Sequence, residues 1–342
     1  MFDEGHSLKN PSATRTQQLL KLQADFKVVV TGTPLENGVG ELWSLAQVFA
    51  PGLLGSQAEF TRKYGNPVVN GDAQTRTVAV QALAAIVRPF VLRRLLGAVG
   101  ASLPGICEQV ESVELSLAER GIYEAQRKQA EREVRDLLRT LPEAKQKFSA
   151  ITTLNKLREV CACPGLHDES FHDVGSKLAR LVGMVSENVA AGHRAVVFSQ
   201  WTRVLAKIEQ AFATKRIRSR RIDGTVSQPK RDIAITEFKA GGAEVVLASL
   251  GAGGVGIDLQ AANYVDLFDP WWNPQKEAQA IARVHRMGQT KLVVATRLLV
   301  SDSVEEKLQA MGKENLAIFD DFMTGTSGAD KISMADILKL VT

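Results

Sequence analysis

From Lys177 to Leu299, short β-rich runs alternate with helical stretches, and this rhythm constrains the fold more than any other feature of the chain. Apolar spacing predicts helices over Lys177–Ala191, Thr202–Ala213 and Pro229–Ala240. Between and after them it predicts strands over Ala195–Phe198, Arg218–Ile222, Glu244–Leu247, Tyr264–Phe268 and Leu292–Leu299. The expected class is α/β, a parallel sheet with helices on both faces. In such sheets ligands sit beyond the carboxyl ends of the strands. A helix over Val304–Phe319 closes this part. Met323–Asp330 is rich in Gly, Ser and Thr and reads as a mobile tail, with a short amphipathic segment at Ile332–Leu340.

The same unit occurs once near the start. Helical text at Ala13–Leu22 precedes Phe26–Val30, a short β-branched run expected to be a buried strand. A hydroxyl-bearing turn, Thr31-Gly32-Thr33-Pro34, leads to a helix marked by Leu42, Leu45, Ala46 and Phe49. Gln57–Thr77 reads as mixed and turn-rich, and helical spacing returns at Val78–Val87. A domain crossing is placed near Arg88–Arg94. Two further helices, Ala118–Leu138 and Phe148–Val160, interrupt the α/β rhythm and read as an insertion or a bridge. The expected division is 1–94, 95–174, 175–322 and 323–342.

A length of 342 residues suits about two domains, and 45% hydrophobic content builds ordinary cores. No apolar run approaches the roughly 20 residues of a membrane span, and no signal peptide is visible, so no membrane partner is expected. Cys107, Cys161 and Cys163 are too few for a disulfide framework and lack zinc-ligand spacing, which points to reduced thiols in the cytoplasm. His167 and His172 have no third ligand and read as surface residues. The net charge of +4 permits nucleic acid binding without demanding it. The dense basic run Lys215–Arg221 reads as a solvated edge or, alternatively, a phosphate track.

Four stretches carry candidate chemistry. In Asn273–Gln289, Asn273 suits a cap, Pro274 the first turn and Gly288 the end of one helix. On that helix Gln279, Arg283 and Arg286 share a face, with Ala280, Ile281 and Val284 on the opposite one. Paired guanidiniums suit a polyphosphate and the charge that builds as its terminal phosphoryl leaves. Two solvated arginines are the plainer reading. Asp3-Glu4-Gly5-His6 places two acids and a histidine at a strand end, suited to magnesium and a water, or simply to an acidic turn. Ser249–Asp258 holds four glycines in six residues, including Gly254 and Gly256, which let backbone approach a phosphate or sugar. Trp271 and Trp272 lie between prolines, suited to stacking on a base or to wedging the helix against the sheet.

These pieces resemble the Swi/Snf family of DNA-dependent ATPases within helicase superfamily two. The blocks that carry the resemblance are D-E-G-H, T-G-T-P-L-E-N with E-L-W-S-L, R-P-F-V-L-R-R and V-V-F-S-Q-W-T. They continue with S-L-G-A-G-G-V-G-I-D-L, D-P-W-W-N-P and Q-A-I-A-R-V-H-R-M-G-Q, in order over nearly the whole chain. Two departures stand out. Gly256-Ile257-Asp258-Leu259 replaces the family's usual Gly-Leu-Asn-Leu, and the sequence opens at the second motif, without a Gly-rich Lys-Thr phosphate loop.

The resemblance implies two RecA-like lobes, the first incomplete, with ATP and Mg2+ as cofactors and the backbone of double-stranded DNA as partner. Asp3 and Glu4 would match the magnesium-holding and water-orienting acids, with His6 beside the nucleotide. Thr31, Gly32 and Thr33 would couple ATP state to DNA. Arg283 and Arg286 would match the arginine fingers, with Gln279 alongside. Gly254, Gly256 and Asp258 would touch nucleotide and backbone, and Ser199, Gln200, Ser249 and Trp272 would lie along DNA. The implied activity is translocation on duplex DNA and displacement of a bound protein complex, in the cytoplasm and at the nucleoid in a prokaryote. The expectation is that this chain alone is inactive unless an upstream segment or partner chain supplies the phosphate loop. The alternative is a non-catalytic DNA- or protein-binding remnant. A superfamily-two RNA helicase is disfavoured by D-P-W-W-N-P and by the helical insertion.

Overall fold

The computed structural model describes residues 1–3, 5–31, 39–92, 103–140, 143–168, 170–249, 257–269, 271, 274–310 and 334–342. They fall into two compact units, one within Met1–Gly100 and one within Ala101–Thr342.

The second unit is built on a parallel sheet of six described strands. In chain order these are β1 (Ile106–Val113), β2 (Ala195–Ser199), β3 (Ser219–Ile222), β4 (Val245–Ser249), β5 (Tyr264–Leu267) and β6 (Val293–Val300), lying side by side as β1-β6-β5-β2-β4-β3. Successive side chains of a strand point to opposite faces, and in β2 both faces are apolar. Val196 and Phe198 join Val246, Val265 and Ala295 under Phe238, Ile281 and Val284. Ala195 and Val197 join Val245, Leu247 and Leu298 under Leu181, Val185, Leu205 and Ile208. The covering helices are Ser176–Ala190 and Thr202–Thr214 on one face, with Gln228–Ala240 and Pro274–Ala282 on the other. The alternation read from Lys177 onward is therefore the fold, with strand and helix ends within one or two residues except at the arginine helix; of the helix predicted over Val304–Phe319, Val304–Ala310 is observed and the rest lies outside the described residues.

β1 has no counterpart among the predicted strands. Its sequence, Ile-Cys-Glu-Gln-Val-Glu-Ser-Val, is largely exposed, as suits an edge. It pairs in register with β6, from Ile106↔Val293 to Val113↔Val300. The two predicted insertion helices, observed at Leu117–Thr140 and Glu143–Ala162, pack against each other in the same unit. Their shared core takes in Val300, Val304 and Leu308, and also Ile337, Leu340 and Val341 of the helix Met334–Val341. The last short segment is thus buried core rather than part of a tail; Met323–Asp330 lies outside the described residues.

In the first unit, Phe26–Val30 is not a buried strand. Its pairing is a single parallel bridge, Phe2↔Val29, flanked by hydrogen bonds from the Phe2 N–H to Val28 and from the Val30 N–H to Phe2. With no other described strand beside it, Phe26 is 83% exposed. Gln57–Thr77, predicted turn-rich, is largely helical: Gln57–Phe60, a π-turn at Thr61–Gly65, Asn66–Asn70, then Ala73–Val87. Ser56 and Glu59 form a capping box, and the Asp72 carboxylate accepts the Thr75 N–H at 2.7 Å, so two local caps override a weak apolar pattern.

One residue breaks the apolar pattern inside the sheet. Asp266 lies in register between Val197 and Thr296. It is fully buried, and neither oxygen has a hydrogen-bond partner among the described residues. Burial pushes its carboxyl up from 3.8 to about 7. The folded chain therefore keeps a proton that the unfolded chain releases near pH 4. This group's contribution is full below that point and is lost as pH rises through about 7. Asp266→Asn is expected to flatten that part of the profile, so that its melting temperature falls less than the parent's between about pH 4 and 7. Parallel melting curves for the two proteins would contradict this.

Candidate functional site

The carboxyl ends of β2, β4 and β5 bring the candidate residues of the second unit together. Ser199 and Ser249 are the last residues of β2 and β4 and lie directly opposite each other. Both are buried, and the Ser199 hydroxyl accepts the Trp201 N–H at 3.2 Å. Ser199 thus shapes the strand end in this conformation instead of presenting a hydroxyl to solvent. The Gln200 N–H donates to Asp269 Oδ2 at 2.7 Å, which ties the end of β2 to the residues following β5.

Beneath this loop lies a residue for which the sequence offered no motif. Arg158, on the helix Glu143–Ala162, is 1% exposed and sits over the Trp201 ring at 5.3 Å. With the Gln200 amide oxygen turned toward the guanidinium, it accepts from both terminal nitrogens of Arg158 at 2.7 and 3.0 Å. Burial lowers Arg158 to about 10, opposed by the charges of Asp269 and Glu305, so it stays cationic at neutral pH. Asp269 is pushed up to about 7 by burial, opposed by the Ser199 and Gln200 hydrogen bonds and by Lys177 and Arg158. The sequence signal for Arg158 was its spacing, since it falls four residues after Leu154 and three before Cys161, on a helical stripe that proves buried.

The arginine segment differs from its prediction. The helix runs from Pro274 to Ala282 and stops, leaving Gln279 on it and half-buried. From there the chain tightens: the Arg283 N–H reaches Ala280 at 3.1 Å and the Val284 N–H reaches Ile281 at 3.0 Å. The Arg283 carbonyl accepts the Leu259 N–H at 3.1 Å, so a tertiary bond replaces the next helical one. His285 Nε2 donates to the Pro104 carbonyl at 2.7 Å. Arg283 is half-buried and Arg286 is exposed, both on a turn and not on one helical face with Gln279. The predicted burial of Ala280, Ile281 and Val284 is observed.

Asp258 sits where the glycine-rich connection returns to described chain. Burial alone would raise its carboxyl, but hydrogen bonds from Lys239 and the Gln260 N–H, with the charges of Lys239 and Arg286, hold it below the usual carboxylate value. The Lys239 Nζ donates to it at 2.8 Å. Gly254, Gly256 and Trp272 lie outside the described residues, as do Glu4, Gly32 and Thr33 and the His6 side chain.

In the first unit Asp3 is exposed and Thr31 half-buried, at the ends of the two segments joined by the Phe2↔Val29 bridge. Gly5 explains how close these segments come. A Cβ there would collide with Val29 Cγ1 and lie 3.3 Å from the Val30 carbonyl, so Gly5 packs at backbone distance against Val29–Thr31. Three arginines of the basic run are engaged: Arg218 pairs with Glu244, Arg220 with Glu237, and Arg221 with Glu209 and Asp223. Among the described residues no group of three or more His, Cys, Asp or Glu is placed to hold a metal. No described helix is long and apolar enough to cross a membrane.

The family model of the SNF2-related domain matches residues 1–166, and that of the helicase conserved C-terminal domain matches residues 176–288. The chain belongs to the Swi/Snf family of helicase superfamily two. Among Swi/Snf relatives, it is 32% identical to the chromatin structure-remodeling complex protein SYD of Arabidopsis thaliana, over 95% of this chain and 10% of that protein. It is 27% identical to the putative ATP-dependent helicase/translocase YwqA of Bacillus subtilis, over 100% of this chain and 37% of that one. The solved Sulfolobus solfataricus SWI2/SNF2 ATPase core in complex with dsDNA superposes with a TM-score of 0.58 at 28% identity, covering 99% of this chain and 71% of the other. The fold is thus the RecA-like α/β architecture of Swi/Snf ATPase cores. This chain spans only part of SYD and YwqA.

Arg158→Met is expected to leave buried Asp269 with Lys177 as its remaining cationic neighbour and Gln200 without its donors. The expected loss of stability in urea unfolding is roughly 3–5 kcal/mol. A loss under about 1 kcal/mol would show that this cluster does not support the strand ends.

Proposed function

We propose that these residues form the motor part of an ATP-driven translocase on double-stranded DNA, which displaces bound protein in the cytoplasm. The observation that carries this reading is the arginine turn, held against the chain that leaves the glycine-rich connection at the carboxyl end of a RecA-like sheet. In the proposed reaction water attacks the γ-phosphorus of ATP as its bond to the bridging oxygen breaks, giving ADP and inorganic phosphate, with the water's proton passing to phosphate or solvent. Arg283 and Arg286 meet the negative charge that grows on the equatorial and leaving oxygens. Asp258, kept ionised by Lys239, lies beside that turn. In the other unit Asp3 is an exposed carboxylate, which fits Mg2+, since that ion keeps several waters and takes one or two carboxylates besides phosphate oxygens. When bound, the ion would neutralise charge on the β- and γ-phosphates. Glu4 is proposed to orient the water, and Thr31, Gly32 and Thr33 to report nucleotide state.

The 342 residues include no Gly-Lys-Ser/Thr run, so a polypeptide of these residues alone is expected to turn over no ATP. In a protein that holds the β- and γ-phosphates in cis or through a partner chain, Arg286→Ala should cut DNA-stimulated turnover by about 10³-fold or more with DNA affinity nearly unchanged. An equal loss of DNA binding would place the arginine on the DNA backbone instead. DNA-stimulated hydrolysis by the 342 residues alone, abolished by Glu4→Gln, would contradict the first expectation.

Duplex binding is proposed to be sequence-independent and salt-sensitive, because the described residues include no element shaped to read base edges, which leaves contact with the backbone as the source of affinity. The slope of log affinity against log salt should be about −0.9 per phosphate neutralised. Since Arg218, Arg220 and Arg221 already pair with acids, replacing all three is expected to leave that slope unchanged. A slope shallower by about one per arginine would assign the run to DNA.

A further inference from the structure

Gln289 closes the arginine segment, yet it is 7% exposed and fully engaged. Its Nε2 donates to the Ala262 carbonyl at 2.7 Å and is shared with Gln260 at 3.2 Å and Val284 at 3.3 Å. Its Oε1 accepts the Thr290 and Lys291 N–H groups at 3.0 and 2.9 Å. With donors and acceptor both occupied, the amide has a single favourable orientation. The Leu259 N–H adds its bond to the Arg283 carbonyl. Gly288 adds close approach: it adopts φ +98°, and a Cβ there would lie 2.6 Å from Gln260 Oε1. An ordinary helix end satisfies its last carbonyls locally. Here the bonds run to a segment about thirty residues earlier, the one that carries Asp258.

We propose that Gln289 is a positioning residue that clamps the turn bearing Arg283 and Arg286 to Asp258–Ala262, so that the arginines and the exit of the glycine-rich connection move as one body. The consequence for catalysis rests on the ATP-hydrolysis reading above; the clamp itself does not. A guanidinium on a free turn samples many positions, and misplacement by about 1 Å costs on the order of 10²-fold in rate. The clamp would hold the arginines where charge develops without touching nucleotide or DNA.

The test is Gln289→Met in the full-length protein, with two readouts. Amide hydrogen exchange over Leu259–Asn263 and Thr290–Lys291 should speed up, while β2 and β4 stay protected. Turnover should fall roughly 10–100-fold with the KM for ATP and the duplex affinity within about twofold, a split that general destabilisation would not produce. Gly288→Ala keeps the amide but pushes on the same contact, and is expected to reproduce both effects even if the Met variant fails to fold. Arg286→Ala should lose turnover with exchange unchanged. Unchanged exchange in both clamp variants overturns the inference, and loosened exchange with full turnover overturns its positioning role. A parent protein without DNA-stimulated turnover would overturn the proposed function instead, and exchange alone would then decide whether the clamp exists.

Discussion

The parallel sheet of the second unit is covered on both faces, and the rest of its structure follows from that. A strand such as Ala195–Ser199, buried at every position, can offer polar chemistry only where it ends. Ser199, Ser249 and Asp269 are therefore gathered at one rim, and what lies behind the rim has to be satisfied internally. Arg158 meets Gln200 and Trp201 there, and deeper still Lys177 Nζ sits 2.7 Å from both oxygens of Glu305, with both side chains 2% exposed. Such pairs add little net stability over apolar packing, but removing one member is costly, so they fix one arrangement of helices and strand ends.

The arginine turn illustrates competition between local and tertiary preference. Pro274–Ala282 is anchored near its start through Glu277, whose carboxylate accepts the Trp271 N–H at 2.8 Å and pairs with Arg297 of β6 at 2.7 Å. At its other end the helix could continue through Val284 and His285 on propensity alone. Leu259, Pro104 and Gln289 all draw on this segment through buried or half-buried hydrogen bonds. In a low-dielectric setting such bonds outweigh the few tenths of a kcal/mol that separate helix propensities.

What could be read from sequence tracks how local the cause is. The strands at Ala195 and Val245 were legible because each is apolar on both faces and bounded by a helix with its own period, and the strand at Tyr264 was legible from Val265, Leu267 and Phe268 despite Asp266. The helical character of Gln57–Asn70 was missed although Ser56-x-x-Glu59 is a capping signature, because no strong apolar stripe drew attention to it. β1 was missed because its glutamates and exposed side chains give no burial pattern; only β6, far along the chain, makes it a strand. Phe26–Val30 was over-read for the opposite reason, since β-branched composition alone does not supply a pairing partner. Of the site, the residue types and their order were legible in the motif blocks. The end of the arginine helix and the place of Arg158 were not, because both depend on contacts between distant segments.

The pairing of β1 with β6 also sets an order in time. Gln109 on β1 meets Thr296 on β6 across 187 residues. A ribosome adding about 5–20 residues per second needs roughly 10–40 s to make that stretch. Throughout that interval β1 has no strand to receive it, while β2, β3, β4 and β5 are made one after another. The nascent chain must therefore carry an unpaired strand for longer than most folding events take, and the last of the six described strands to be made is the one that gives β1 its partner.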